Sequence, residues 1–169
     1  MKHLKTLLLV AIFTVGLVGV ANAQKTAHIN TDKLLAEMPA TKAVKAELEK
    51  LAKTYRDDIE TMYKKLEAKY KKYDAEGKSQ TLEVNQKRAA EIQQERAKIS
   101  QAEQAAGIEM QKKRQEKTIP IVKKAEEAIK AVAAEKGYIY VFDASPGRGL
   151  LVYDKGEDIY NAVKTKLGF

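Results

Sequence analysis

The chain has 169 residues, 31 Lys and Arg against 23 Asp and Glu for a net charge of +8, and neither Cys nor Trp. That length admits one small domain, or one with an extended part. Without Cys there is no disulfide framework, no thiolate zinc site and no cysteine nucleophile.

The first element is a leader. Met1-Lys2-His3-Leu4-Lys5 is basic, the run from Leu7 to Val20 is apolar, and Ala21-Asn22-Ala23 has the small-residue pattern of a cleavage site. This reads as a secretory signal cut between Ala23 and Gln24. An uncleaved anchor is the alternative, but the run is shorter than the roughly 18 to 20 apolar residues of a spanning helix. After cleavage 29 basic residues face 23 acidic ones, a net +6, and His28 is the single histidine left. Ser-His-Asp, Cys-His and multi-histidine metal sites therefore lack their residues. A carboxylate or lysine enzyme has no positive signal, so no catalytic residue, metal ligand or cofactor is assigned.

Thr26-Ala27-His28-Ile29-Asn30-Thr31 predicts a short strand with His28 as a polar strand position. Asp32 to Met38 predicts one or two helical turns stopped by Pro39. From Thr41 the composition turns to dense Lys, Glu and Ala with no Gly until Gly77, which predicts a long helix. Val44, Leu48, Leu51, Tyr55, Ile59, Met62, Leu66, Tyr70 and Tyr73 follow one another in steps of 4, 3, 4, 4, 3, 4, 4, 3. At about 100° per residue they form one apolar seam. Each 4-3-4 group spans 11 residues, a period that implies straight or slightly right-handed pairing.

The polar stretch Asp74 to Thr81 contains Gly77 and predicts the tip of a hairpin, with a second helical run following to about Lys117. Pairing Tyr73 with Leu82, Leu66 with Ala89, Met62 with Ile92, Tyr55 with Ile99, Leu48 with Ala106 and Val44 with Met110 gives residue numbers that add to 154 or 155. A constant sum is the mark of an antiparallel coiled coil folded on itself. Arg96 and Glu103 fall on the second seam, opposite Ile59 and Leu51 in this register, and predict looser packing.

Thr118-Ile119-Pro120 interrupts the second helix, with Pro120 either kinking it or beginning a new one. Ile121, Val122, Ala125, Ala128, Ile129, Val132 and Ala133 restart an apolar face, and Gly137 suits the residue after that helix. Tyr138 to Phe142 and Leu150 to Tyr153 read as two strands around the turn Asp143 to Gly149, which lacks the spacing of a phosphate loop. Asp158 is the expected N-cap of a last helix, Ile159 to Leu167. The fold class is mostly α with a small α/β body, from which a long antiparallel coiled-coil hairpin projects. The body is expected from residues 24–40 and 119–169, and the arm from 41–118 with its tip near 74–81.

This order of elements resembles the Skp (OmpH) family of periplasmic chaperones over essentially the whole mature chain. The resemblance rests on Ala27 to Leu35 leading to Pro39-Ala40-Thr41-Lys42-Ala43, on Ala128 to Tyr138, and on Asp158 to Val163; the junction of helix, Gly137 and strand is its most specific part. The resemblance implies a homotrimer whose strands assemble a β body, with three arms enclosing a cavity for unfolded outer-membrane proteins in the periplasm. The Tyr- and Ala-rich arm departs from the pattern, so its wall is read from this chain alone. Three short strands per chain would gain from pairing in an oligomer.

A client surface combines apolar groups off the seam with attracting charge. Tyr63 at the edge of the first seam, with Val84 and Ile108 well off the second, are the apolar candidates, although single exposed apolar residues are ordinary on any surface. Lys64, Lys65, Lys69, Lys71, Lys72, Lys78, Lys87 and Arg88 make the distal half of the arm its positive part. Such a tip would draw in acidic polypeptides or lie against anionic lipid head groups, more weakly in salt; a solvated Lys- and Glu-rich face is the alternative. The functional reading is an ATP-independent holdase for unfolded outer-membrane proteins. The alternative is an envelope coiled-coil adaptor that binds one folded partner through its basic tip. A pI near 9.4 also suits nonspecific nucleic-acid binding, but export argues against it and no specific nucleic acid is expected.

Overall fold

A computed structural model describes residues 25–151 and 155–169. The leader expected at 1–23 lies outside the described residues. Strand β1, Thr26–Ile29, is followed by helix α1, Thr31–Glu37, whose start is capped by the Asn30 side chain accepting from Lys33 N–H at 2.8 Å. Met38 is extended (ψ 128°), as a residue before proline must be, and Pro39 opens helix α2, Pro39–Glu76. Pro39 thus stops one helix and starts the next. A 3-10 turn, Gly77–Ser79, leads to helix α3, Leu82–Lys136, capped by the Thr81 hydroxyl. Strands β2, Tyr140–Asp143, and β3, Glu157–Asp158, and helix α4, Tyr160–Leu167, complete the chain.

The sheet has the order β2-β1-β3 with both pairings parallel. Parallel neighbours need a crossover rather than a tight turn. Between β1 and β2 that crossover is α1, α2 and α3 together, so the whole helical hairpin is the connection of one β-α-β unit. The expected strand, turn, strand reading of residues 138–153 is corrected here. The chain leaves β2 on one edge and forms β3 on the other, at Glu157–Asp158, while Leu150 and Leu151 carry no strand and 152–154 lie outside the described residues.

The core sits against one face of this sheet. Ala27 and Ile29 of β1 pack with Leu34 and Met38, with Ile121, Ala125, Ala128 and Val132 of α3, and with Ile159, Tyr160 and Val163 around α4. The α3 residues recur in steps of 4, 3 and 4, the spacing of one helix face. At the end of α3, Gly137 adopts φ 71° and Tyr138 N–H reaches the Ala133 carbonyl at 2.9 Å, closing the helix as its sequence predicts. On the other face of the sheet His28 lies opposite Phe142 and Asp158, and it is buried rather than merely polar, at 7% exposure. Asp158 accepts Tyr160 N–H at 2.8 Å, so it caps the last helix from two residues before its start.

Asp143, at the end of β2, ties β1 to the following turn. Thr31 Oγ1 donates to it at 2.7 Å, Ser145 Oγ at 2.7 Å and Ser145 N–H at 3.0 Å. Burial alone would raise its carboxyl pKa, but these donors bring it below the ordinary value.

Of the two expected effects of Pro120, the start of a new helix is not found: α3 is continuous from Leu82 to Lys136 with Pro120 inside it. Pro120 is exposed, whereas Ile121 beside it is anchored in the core. The carbonyl freed by the missing N–H therefore lies on the solvent side, open to water, while the packing of Ile121 in the core holds the helix beyond it.

Candidate functional site

By the rise of an α-helix, α2 is about 57 Å long and α3 about 82 Å. Eight of the nine predicted seam residues of α2 are half-buried, and Tyr70 is exposed at 53%. On the facing stretch of α3 only Ile92 and Ile99 are fully buried. Two helices alone enclose few side chains, so apart from Ile92 and Ile99 the arm's apolar contacts stay partly wet.

The register differs from the expected one. Cross-helix pairs are Lys69 with Glu91 at 2.7 Å, Tyr73 with Glu91 at 2.6 Å, Tyr63 with Glu103 at 3.0 Å, Lys117 with Glu47 at 2.7 Å, and Arg88 with Glu76. Their residue numbers add to between 160 and 166, not 154 or 155. The physical reason lies in the turn. Helical rise persists through Ser79, and reversal is confined to the extended residues Gln80 and Thr81, which shifts every partner along α3 by about two turns. Two turns preserve the facing side of a helix. Ile92 and Ile99 consequently stay on the seam, but Arg96 comes level with Leu66 instead of Ile59.

At that level the helices do not close. An open groove of about 550 Å³ lies over Tyr63, Leu66, Tyr70, Ile92 and Ile99, with Arg96 on its wall. It continues toward the turn as a hollow of about 360 Å³ bounded by Tyr73, Asp74 and Arg88; Tyr70, Ile92 and Arg96 line both. Lys69 bonding to Glu91 lowers that carboxyl's pKa, with Tyr73 adding to the effect, and the Glu91 carboxylate in turn raises the Tyr73 hydroxyl. Arg88 stacks on the Tyr73 ring at 4.5 Å. Asn85 Nδ2 donates to the Gly77 carbonyl at 2.9 Å and pins the turn.

Of the apolar candidates, Ile108 is exposed at 70%, and Tyr63 is exposed at 49% with its hydroxyl held by Glu103. Val84 is half-buried beside the turn, in the first turn of α3, where its N–H donates to the Thr81 hydroxyl at 3.3 Å. Among the basic candidates, Lys64 pairs with Glu60, Lys69 with Glu91 and Glu95, Lys71 with Glu67, Lys87 with Glu83, and Arg88 with Glu76. Lys65, Lys72 and Lys78 are exposed and have no ion pair among the described residues. Three of the eight are thus paired within their own helix, with Glu four residues before Lys, two are paired with the facing helix, and three remain as the free positive charge of the distal arm. Sequence reasoning placed Tyr70 and Arg96 on the two seams, and expected looser packing at Arg96, but did not count either among the client-binding candidates.

A second exposed apolar surface lies on the body. Ile139, Tyr140 and Phe142 stand out around edge strand β2, with the Tyr140 and Phe142 rings 6.3 Å apart. Among the described residues no three His, Asp or Glu gather as a metal site, and no helix is long and apolar enough to cross a membrane.

Comparison with known proteins matches this architecture. The family described as outer membrane protein (OmpH-like) matches residues 25–167. Proteins named chaperone protein Skp from Photorhabdus laumondii and Photorhabdus luminescens are each 28% identical over 145 residues, covering 84% of this chain and 88% of theirs. A solved OmpH-like structure from Caulobacter crescentus superposes with a TM-score of 0.76 at 16% identity, covering 84% of this chain and 82% of that one, and supports the fold. The match across nearly the whole described chain places this protein in the family described as outer membrane protein (OmpH-like).

Proposed function

We propose that this protein is an ATP-independent holdase that binds unfolded outer-membrane proteins in the periplasm after loss of residues 1–23. Two relatives, each 28% identical over 145 residues, are named chaperone protein Skp, and membership of the OmpH-like family supports a chaperone role for this chain. In this reading residues 24–40 and 119–169 form a body that assembles three copies, while residues 41–118 form the arm that meets the client. The observation that carries it is the distribution of uncovered apolar side chains. Tyr63 and Tyr70 share one groove, and Leu82, Ile108 and Ile119 lie apart from it along the second long helix. Many separate, weak, wet contacts suit a chain without fixed shape, whereas a defined folded partner is recognised by one compact patch. No bond is made or broken, and release follows from the client folding elsewhere.

The test is dilution of a urea-unfolded outer-membrane β-barrel protein into the mature protein, with turbidity and light scattering recorded together. The expected result is a soluble complex of three copies with one client. Precipitation of the client around an unaltered protein overturns the reading in favour of the adaptor, for which a folded partner at the tip is the occupant.

A further inference from the structure

A helix position that faces a second helix ordinarily carries an apolar side chain, because a cation there loses water without gaining a partner. Arg96 departs from this. It sits four residues after Ile92 and three before Ile99, the two buried residues of the arm, yet it is exposed and pairs with no carboxylate among the described residues. With no apolar side chain at that level, the seam opens over Leu66 and leaves Tyr70 as its one exposed member. A polar residue that breaks a packing seam without a structural return is where function is to be sought.

We propose that this groove docks one extended segment of an unfolded polypeptide in which an apolar or aromatic side chain lies close to a carboxylate. The apolar side chain seats on Tyr63, Leu66 and Tyr70, and the carboxylate pairs with the Arg96 guanidinium. The inference rests on the holdase reading and supplies it with a recognition rule. Charge argues for this occupant. The other ions lining the groove are Glu67, paired with Lys71, Arg88, paired with Glu76, and Asp74 at the turn end, so the uncompensated cation stands in the middle. Arg88, at the turn end, is held by Glu76 and by the Tyr73 ring, which leaves Arg96 as the cation open to a ligand. Guanidinium suits this role because its planar fork pairs with a carboxylate through two hydrogen bonds, and tyrosines beside it offer large amphipathic contact area at low entropy cost. Length also fits: from Tyr63 to Asp74 the helix rises about 16 Å, the span of about five extended residues.

The experiment uses the full mature chain and three rhodamine-labelled twelve-residue peptides on a Gly-Ser background, read by fluorescence anisotropy. One carries Phe and Asp two positions apart, one Phe and Asn, one Ser and Asp. The expected result is that the Phe and Asp peptide binds about tenfold more tightly than either other. Arg96→Gln should abolish the Asp over Asn preference, whereas Arg56→Gln, which removes the same charge from an exposed arm position without an ion pair, should leave it in place. Arg96→Leu should close the seam, raise Tm and weaken both Phe peptides. No peptide preference in the wild type, or equal loss from Arg56→Gln and Arg96→Gln, overturns the inference by assigning binding to overall charge. Suppression of client aggregation, measured on the same samples, separates the two failures. If suppression persists while the preference is absent, the groove assignment fails and the holdase reading stands; if suppression is absent, the holdase reading fails with it.

Discussion

Glu37 illustrates how single charges fasten the body. Lys164 Nζ donates to it at 2.7 Å from the last helix, and this bond, with the nearby Tyr160 hydroxyl, brings its pKa from 4.5 down to about 2. Burial, with the Glu37 carboxylate adding, pushes the Tyr160 hydroxyl up to about 12, and Lys33 lies over the same ring at 4.5 Å. A carboxyl whose folded pKa lies below its unfolded value stabilises the fold above the unfolded pKa and loses that contribution as pH falls toward the folded one. Glu37→Gln should therefore lower the urea midpoint above about pH 5 and match the wild type near pH 2. A midpoint difference that is constant from pH 7 to pH 2 counts against this account. The sequence did not announce the contact, since Glu37 and Lys164 are 127 positions apart.

At the scale of elements, α3 is the joint between arm and body. Its periodicity was legible in both halves, and so was the proline between them, but the proline's effect was not. Whether a proline breaks a helix depends on which side its ring faces and on what holds the flanking turns, and both are tertiary properties. Because Pro120 leaves one carbonyl without its helical partner, Pro120→Ala should stabilise this turn by up to about 3 kcal/mol. The increase should appear as slower amide exchange near residues 116–124, with exchange in the sheet unaltered; unchanged exchange near Pro120 would falsify the proposed local weakness. The hairpin register teaches a related lesson. Apolar spacing fixed the face of α2 correctly, but a register slip of two turns keeps the same face, so the pattern by itself had two near-equivalent solutions. The turn chose between them through Thr81 capping and the extended Gln80.

The whole molecule divides its stability unevenly. Among the described residues twelve side chains form the buried cluster of the body, whereas the arm has Ile92 and Ile99, each contributing about 2 to 3 kcal/mol by its burial. The arm is thus the part that can yield to a client without loss of the body. The body in turn leaves Ile139, Tyr140 and Phe142 uncovered around edge strand β2, and three copies joined there would cover them. In the assembly proposed above, with copies joined at this strand, Phe142→Asp should reduce the mass in light scattering to that of a protomer and lower the protection given to an unfolded client. An unchanged mass for this variant would place the contact between copies elsewhere.

Composition and periodicity alone determined a mostly helical chain, the facing side of the long first helix, the glycine that ends the second, and the absence of Cys-based chemistry, because each is encoded within a few turns of chain. Only tertiary structure decided that both strand pairings are parallel, that the third strand lies at Glu157–Asp158, and that Arg96 meets Leu66 across an open seam. Those outcomes depend on which distant segments share a surface. Local pattern states what each segment offers, and long-range packing selects the partner.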